Sequence, residues 1–293
     1  MLERGDRLGV LVMSALPLPV LTTILSVVLG LAVGSFLNVV VHRVPAKLSV
    51  VAPASACPSC GHAIRSRDNV PVVSWILLGG RCRDCGSAIS VRYPLVELTT
   101  GLLFGAVTWW VAARGAVVAG ETTDLPTTAL VLVALLYLMA TSIALTCIDI
   151  ETHTLPNRIV GPAYAVVVVL FTGASVTSGD WSALGRGAVG LAVLGLFYFV
   201  LAVAVPGGMG LGDVKLAGVL GFVLAYLGWG PLVVGAFAAF LLGGTFAIVL
   251  LLTGRAGRRS GIPFGPWMVA GAWVGVFTGP AVWHLYLGTV GLA

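Results

Sequence analysis

Long apolar runs alternate with short polar segments along almost the whole chain. Several runs approach or exceed the roughly 20 residues that cross a bilayer as an α-helix. We predict eight spans, near residues 15–41, 96–115, 127–148, 159–178, 186–206, 214–229, 231–253 and 264–288. A short turn at Gly228–Pro231 allows the sixth and seventh spans to form a hairpin. The pattern predicts an all-α polytopic membrane protein with about eight transmembrane helices.

The composition agrees with this pattern and excludes a soluble protein of the same length. Of the 293 residues, 58% are hydrophobic and only 9% are charged, whereas about 25% are charged in a typical soluble domain. Such a chain has too few charges to cover a water-facing surface. The net charge of +5 fits contact with anionic lipid headgroups. Because no basic face with readout elements accompanies that charge, nucleic-acid binding is not expected.

The basic residues predict the orientation, because lysine and arginine resist translocation across the membrane. With the N-terminus outside, Arg4, Arg7, Arg114 and Arg186 fall on the outer side. The other twelve of the 16 basic residues face the cytoplasm: Arg43, Lys47, Arg65, Arg67, Arg81, Arg83, Arg92, Arg158, Lys215, Arg255, Arg258 and Arg259. We therefore expect a multi-pass membrane protein whose polar segment at residues 42–95 faces the cytoplasm.

Residues 42–95 form the one sizeable polar segment, which we call the four-Cys domain. It contains two C-x2-C pairs, each followed by glycine: Cys57, Cys60, Cys82 and Cys85. Two residues between thiolates let both sulfurs reach one ion, and two such pairs complete a tetrahedral zinc site. With four thiolates no ligand position is left for water, so the predicted zinc is structural. We divide the chain into an N-terminal transmembrane helix (1–41), this domain, and a membrane domain (96–293).

Other uses of the cysteines remain open at this stage. The two pairs could form disulfides or redox-active dithiols, although a cytoplasmic location disfavours stable disulfides. His62 could replace one cysteine as a zinc ligand. Cys147 stands apart at the end of an apolar span and is expected to be a buried hydrophobic residue.

Two carboxylates, Asp149 and Asp213, stand at predicted span ends. An aspartate in mid-membrane costs roughly 2.5–3.5 kcal/mol on insertion scales, so its retention needs a reason. The third span runs inward and ends at Asp149, and the sixth runs outward and begins at Asp213. Both therefore reach the cytoplasmic level. Paired carboxylates that share a proton are the machinery of aspartic proteases. Asp213 could instead be an ordinary helix N-cap.

Glu151 competes with Asp149 for the first catalytic position. Residues two apart on a continuous helix point in nearly opposite directions, so only one of these two carboxylates should face Asp213. A transporter or channel whose carboxylates relay ions is a competing class, but it would place them deep within the spans. A scaffold whose four-Cys domain recruits a secretion ATPase is a third possibility.

Six blocks of the sequence resemble the type IV prepilin peptidase family (leader peptidase/N-methyltransferases), which are intramembrane aspartyl proteases with a G-x-G-D motif. The blocks occur in the family's order: GSFLNVVVHRVP (34–45), DNVPVVSW (68–75), ISVRYPLVE (89–97), DIETHTLPN (149–157), GMGLGDVKL (208–216) and GIPFGPWMVAG (261–271). The four-residue motif by itself is weak, whereas six ordered blocks that cover most of the chain are highly specific.

The resemblance implies an aspartic endopeptidase that cuts the leader from prepilins or pseudopilins on the cytoplasmic side of the membrane. By motif match, Asp149 and Asp213 are its catalytic pair. Family members with a four-Cys domain commonly also methylate the new N-terminal amine with S-adenosylmethionine, and cleavage without methylation is the alternative. We expect the methyl donor near Glu97, Arg92 and Asn69, although Glu97 could equally pair with Arg92. Lys215, Gly210 and Gly212 are candidate substrate-binding residues, since glycine lets an extended backbone approach closely.

Overall fold

The fold is that of a computed structural model, which describes residues 17–114, 124–204, 209–254 and 263–291. Over these residues it is all-α, with nine helices and isolated β-bridges in place of strands. The helices are α1 (Leu18–Arg43), α2 (Val73–Leu77), α3 (Arg92–Arg114), α4 (Leu125–Thr152), α5 (Asn157–Ser178), α6 (Trp181–Ala204), α7 (Leu211–Leu227), α8 (Trp229–Leu252) and α9 (Gly265–Thr289). In the orientation prediction, Arg4, Arg7, Arg255, Arg258 and Arg259 lie outside the described residues.

Seven of the described helices are long and apolar enough to cross a membrane: α1, α3, α4, α5, α6, α8 and α9. The sixth predicted span is α7, whose 17 residues extend about 26 Å at 1.5 Å per residue. That is slightly less than the roughly 30 Å of a bilayer's hydrocarbon core. The all-α membrane architecture is confirmed, with α7 as a short, largely buried helix surrounded by the others.

Glycine seams bring neighbouring helices into backbone contact, which is the usual way in which membrane helices associate. A Cβ atom built on Gly34 of α1 would lie 2.7 Å from Cα of Glu97 in α3. One built on Gly190 of α6 would lie 2.3 Å from the carbonyl oxygen of Gly221 in α7. A third seam joins α8 to α9, where a Cβ on Gly275 would lie 2.4 Å from the carbonyl oxygen of Pro231.

The ends of α4, α7 and α9 meet at one end of the bundle. Helix α4 stops at Thr152 because His153 adopts a left-handed conformation (φ 51°) and Pro156 then precedes α5. Helix α9 packs against both α4 and α7. The last turn of α4 and the first turns of α7 and α9 therefore surround one small region.

The four-Cys domain connects α1 to α3, and its first and last residues belong to these two helices. Helix α1 continues to Arg43 and α3 begins at Arg92, so only residues 44–91 lie between the two helices. The domain has two small turns of similar structure. Each C-x2-C pair lies inside an antiparallel bridge, Ala56 to Ala63 and Arg81 to Ala88. The glycine after each pair has φ 72°, which confirms that it turns the backbone.

Candidate active site and metal centre

Asp149 lies in the last turn of α4 and is 5% exposed. Its Oδ2 accepts a hydrogen bond from the backbone amide of Gly265, at 3.1 Å. Gly265 is the first residue of α9, so the carboxylate of one helix lies at the N-terminus of another. The unpaired amides and the dipole of a helix N-terminus favour negative charge there.

Asp213 is the third residue of α7 and is 9% exposed. Its Oδ2 accepts from the amide of Gly210, the N-cap residue, at 3.0 Å. The possibility that Asp213 is itself the N-cap is therefore wrong: it reaches back to that residue from inside the first turn, as the carboxylate of a capping box does. Asp213, like Asp149, is held at a helix N-terminus by one oxygen.

Leu155, in the loop between α4 and α5, packs against the glycines that lie beside the two carboxylates. A Cβ built on Gly212, next to Asp213, would lie 3.0 Å from Cβ of Leu155. One built on Gly265 would lie 3.4 Å from Cδ2 of the same leucine and 2.7 Å from Oδ2 of Asp149. The two carboxylates are also near enough to interact electrostatically. Asp149 and Asp213 thus share one small, glycine-lined region.

Glu151 does not share this environment. It is exposed, and its carboxylate forms an ion pair with Arg92 at the start of α3. The divergence expected for residues two apart on a helix is therefore observed. The ion pair also connects the segment that leaves the four-Cys domain to the helix that carries Asp149.

The candidate substrate-binding residues lie beside Asp213 and make contacts within the protein. Lys215 donates from Nζ to Oδ1 of Asn157, at 3.0 Å. Its carbonyl oxygen accepts from the hydroxyl of Tyr164, at 2.6 Å. Gly212 packs against Leu155, whereas a Cβ on Gly210 would make only ordinary contacts. These contacts secure the first turns of α7 against α5.

The candidate methyl-donor residues are placed separately. Glu97 is buried, and its Oε2 accepts from the amide of Val72, at 2.7 Å. Arg92 pairs with Glu151, so the alternative pairing of Arg92 with Glu97 is not observed. Asn69 is exposed. None of the described hydrogen bonds or ion pairs joins any two of these three side chains.

The four cysteines outside α4 come together as their spacing predicts. Their Sγ atoms all lie within 4.8 Å of one another, and the Sγ atoms of Cys57 and Cys85 are 3.8 Å apart. Sulfurs in a tetrahedral zinc site with bonds of about 2.3 Å lie about 3.8 Å apart, while a disulfide needs about 2.05 Å. The four cysteines are free thiols in the structure. The arrangement therefore fits a zinc ion and does not fit the disulfide alternative.

Two further contacts support this metal centre. The hydroxyl of Ser87 lies 3.2 Å from Sγ of Cys85 and 3.6 Å from Sγ of Cys57, so it can donate to either thiolate. Nη2 of Arg65 lies 2.7 Å from Oδ1 of Asp84, so an ion pair joins the two turns. The described group of potential ligands consists of the four cysteines without His62.

Sequence reasoning missed Gly265, Leu155 and Tyr164. The block GIPFGPWMVAG was noted without a role for its glycine. Pro266, which follows Gly265, was an available signal because proline is favoured in the first turn of a helix, and a helix N-terminus is where a carboxylate binds. Nothing in the local sequence indicates that the carboxylate would be Asp149.

Two family models and several known proteins match this chain. The family described as "Bacterial Peptidase A24 N-terminal domain" matches residues 28–111, and "Type IV leader peptidase family" matches residues 135–248. The chain is 32% identical to a prepilin leader peptidase/N-methyltransferase of Pseudomonas aeruginosa over 297 residues, which cover 92% of this chain and 94% of the relative. Its identity to proteins of the same name is 33% in Aeromonas salmonicida (89% of this chain, 92% of the relative) and 40% in Myxococcus xanthus (80% and 64%). No solved structure is significantly similar to it.

Proposed function

The chain belongs to the type IV leader peptidase family, and we propose that it is an aspartic endopeptidase that removes the leader peptide from type IV prepilins or pseudopilins. The observation that carries this proposal is the pair of buried carboxylates, Asp149 and Asp213, each held at a helix N-terminus. The names of the relatives supply the substrate class. Asp149 lies in the last turn of α4 and Asp213 in the first turn of α7, whereas an ion relay would hold its carboxylates in mid-span.

The chemistry follows from what two such carboxylates do together. One takes a proton from a water molecule, whose oxygen then bonds to the scissile carbonyl carbon, while the other, protonated, polarises the carbonyl oxygen. When the tetrahedral intermediate collapses, the C–N bond breaks and the leaving amine receives a proton. Because each aspartate uses Oδ2 to accept from a backbone amide, Oδ1 of each is assigned to the water and the shared proton.

We assign the active site and the four-Cys domain to the cytoplasmic side of the bacterial inner membrane. The contact between Arg92 and Glu151 places both at the same end of the bundle. Twelve of the 16 basic residues fall on this side in the predicted orientation, as the excess of lysine and arginine in cytoplasmic loops requires. The division into residues 1–41, 42–95 and 96–293 is part of this proposal. The four-Cys domain would hold one structural zinc ion through Cys57, Cys60, Cys82 and Cys85.

The second proposed activity is methylation of the N-terminal amine that cleavage exposes, with S-adenosylmethionine as donor. The relatives are named for both activities. Of the candidate residues, Glu97 has a carboxylate that suits a donor's ribose hydroxyls or the substrate amine, and one of its oxygens already accepts from Val72. Arg92 and Asn69 remain weaker candidates, because Arg92 pairs with Glu151 and Asn69 is exposed.

One experiment tests both activities. Detergent-purified protein is incubated with a prepilin and S-adenosylmethionine, and the product is weighed by mass spectrometry. We expect loss of the leader and a gain of one methyl group. Loss of the leader without the methyl group would contradict the second activity alone, and an intact prepilin would contradict the first.

A further inference from the structure

Helix α2 of the four-Cys domain exposes three large apolar side chains, which a helix on a water-soluble domain would bury. Its outward face consists of Val73, Ile76 and Leu77, which are 51%, 63% and 80% exposed. These positions have the spacing i, i+3, i+4 and so lie on one side of the helix. The inward face includes Ser74, which is 6% exposed and bonds with Oγ to the carbonyl oxygen of Arg67.

The sequence around α2 is uncharged. No charged residue occurs from Asn69 to Gly80, and the same is true of residues 48–64 of this domain. Arg67 and then Asp68, which pairs with Arg83, precede this uncharged stretch, and Arg81 follows it. Apolar side chains between basic residues are the pattern of segments that lie in a membrane interface, where arginine reaches the phosphates.

A contact with a membrane-spanning helix fixes the position of α2 along the axis of that helix. The amide of Val72, directly before α2, donates to Oε2 of Glu97 in α3, at 2.7 Å. Glu97 lies five residues into α3, or about 8 Å from its end. It packs against Gly34 of α1, nine residues or about 14 Å before the end of that helix. The start of α2 therefore lies beside α1 and α3, at a level inside the bundle relative to the ends of both helices.

The backbone at this contact is strained, which indicates that the surrounding structure holds α2 in its position. Val72 has φ 63°, a conformation that a β-branched residue rarely adopts. Such strain persists only where the surrounding structure holds it, and here the buried carboxylate of Glu97 holds it. Leu98, the next residue of α3, is exposed, so the outward surface of this region is apolar on the membrane helix as well.

We propose that α2 lies in the headgroup region of the bilayer, with Val73, Ile76 and Leu77 directed toward the acyl chains. Interfacial helices of this kind lie about 5–10 Å into the boundary between headgroups and acyl chains, which matches the depth of Glu97 along α3. In this placement the exposed Leu98 of α3 faces the lipid as well. The four-Cys domain is thereby fixed to the membrane at α2 as well as at its two connections to α1 and α3.

Fluorescence in a bilayer tests this placement. Leu77 is replaced by a polarity-sensitive fluorescent amino acid in the full chain, which is reconstituted in lipid nanodiscs. Three quenchers are compared: a lipid spin-labelled near the headgroup, a lipid spin-labelled at the end of its tail, and iodide in the water. We expect the largest loss of emission with the headgroup-proximal lipid. The same order is expected at Ile76, whereas at the exposed Ser59, between two zinc ligands, iodide should quench most.

The other outcomes contradict the proposal. Strongest quenching by iodide at both Leu77 and Ile76 would place α2 in water. Quenching by none of the three would show that protein covers this surface, whether a second copy of the chain or a substrate helix. Zinc content, measured on each labelled protein, shows whether the four-Cys domain has folded. Only labelled proteins that retain zinc are compared.

Discussion

Asp149 and Gly265 are 116 residues apart in the sequence, yet the amide nitrogen of Gly265 lies 3.1 Å from Oδ2 of Asp149. The contact places the carboxylate that ends α4 at the N-terminus of α9. Gly265 also allows this close approach, because a Cβ there would lie 2.7 Å from the same oxygen. The glycine thus contributes both a hydrogen-bond donor and the space that the carboxylate occupies.

Replacement of this glycine should therefore impair catalysis without unfolding the protein. In Gly265→Ala the added methyl group displaces the Asp149 carboxylate, and we expect leader cleavage to fall by about 100-fold, as when a general acid or base is misplaced. Cleavage of a prepilin, followed by gel or mass spectrometry, measures the loss. Gly244→Ala is the matched control, because a Cβ there meets no atom within 4 Å. Equal activity in both variants would contradict this account.

The catalytic pair itself is tested by carboxamide substitutions. Asp149→Asn and Asp213→Asn keep the size and the oxygen that accepts from Gly265 or Gly210, but they cannot share a proton. We expect either variant to lose cleavage by about 100-fold or more while its thermal unfolding stays near that of the wild type. Glu151→Gln should keep most of the activity, since it disrupts only an exposed ion pair with Arg92. An active Asp149→Asn together with an inactive Glu151→Gln would move the catalytic position to Glu151.

Substitutions of Lys215 and Tyr164 test whether these residues position Asp213 or bind the substrate. Because the Tyr164 hydroxyl bonds to the carbonyl oxygen of Lys215 and the Lys215 ammonium bonds to Asn157, both contacts hold the turn that carries Asp213. We expect Tyr164→Phe and Lys215→Met to lower kcat several-fold, about what the loss of one hydrogen bond produces, with little change in KM. Steady-state kinetics separate the two constants. A rise in KM alone for Lys215→Met would instead support the substrate-binding role.

The metal centre predicts one zinc ion per chain. Elemental analysis of protein purified without chelators should find it, and Cys85→Ser should lose it, because three thiolates bind zinc more weakly than four. Cys147→Ser is the control and should retain the metal, since Cys147 lies in α4, outside the cluster. Loss of zinc should loosen the four-Cys domain and reduce expression or methylation more than proteolysis. Zinc-free wild-type protein would contradict the assignment.

Methyl transfer should depend on Glu97 more than cleavage does. Glu97→Gln removes the negative charge but keeps an oxygen that can accept from Val72, so α2 should stay in place. We expect less methyl label transferred from labelled S-adenosylmethionine, and cleavage near the wild-type level. Equal loss of both activities would show that Glu97 acts only through the structure around it. Cleavage by the wild type without any transfer of label would leave the four-Cys domain a structural or docking role.

The sequence by itself determined the features that depend on neighbouring residues. Apolar runs of sufficient length predict helices wherever the chain must satisfy its backbone hydrogen bonds in lipid, and eight such runs correspond to the described helices α1 and α3–α9. The two C-x2-C pairs with their glycines likewise predict the turns in which the sulfurs meet. The short spacing within each pair is a local property, so it could be recognised without the fold.

Only the tertiary structure decided which groups from distant segments meet. The amide partner of Asp149, 116 residues away, depends on how α9 packs against α4. Glu97 could have paired with Arg92 five residues earlier, but the close approach of α1 and α3 buries it beside Val72, while Arg92 reaches Glu151. Lys215 binds Asn157 because α5 lies against α7. The physical reason is that helix packing in a membrane depends on small-residue seams and on burial, and these are set by the assembled bundle.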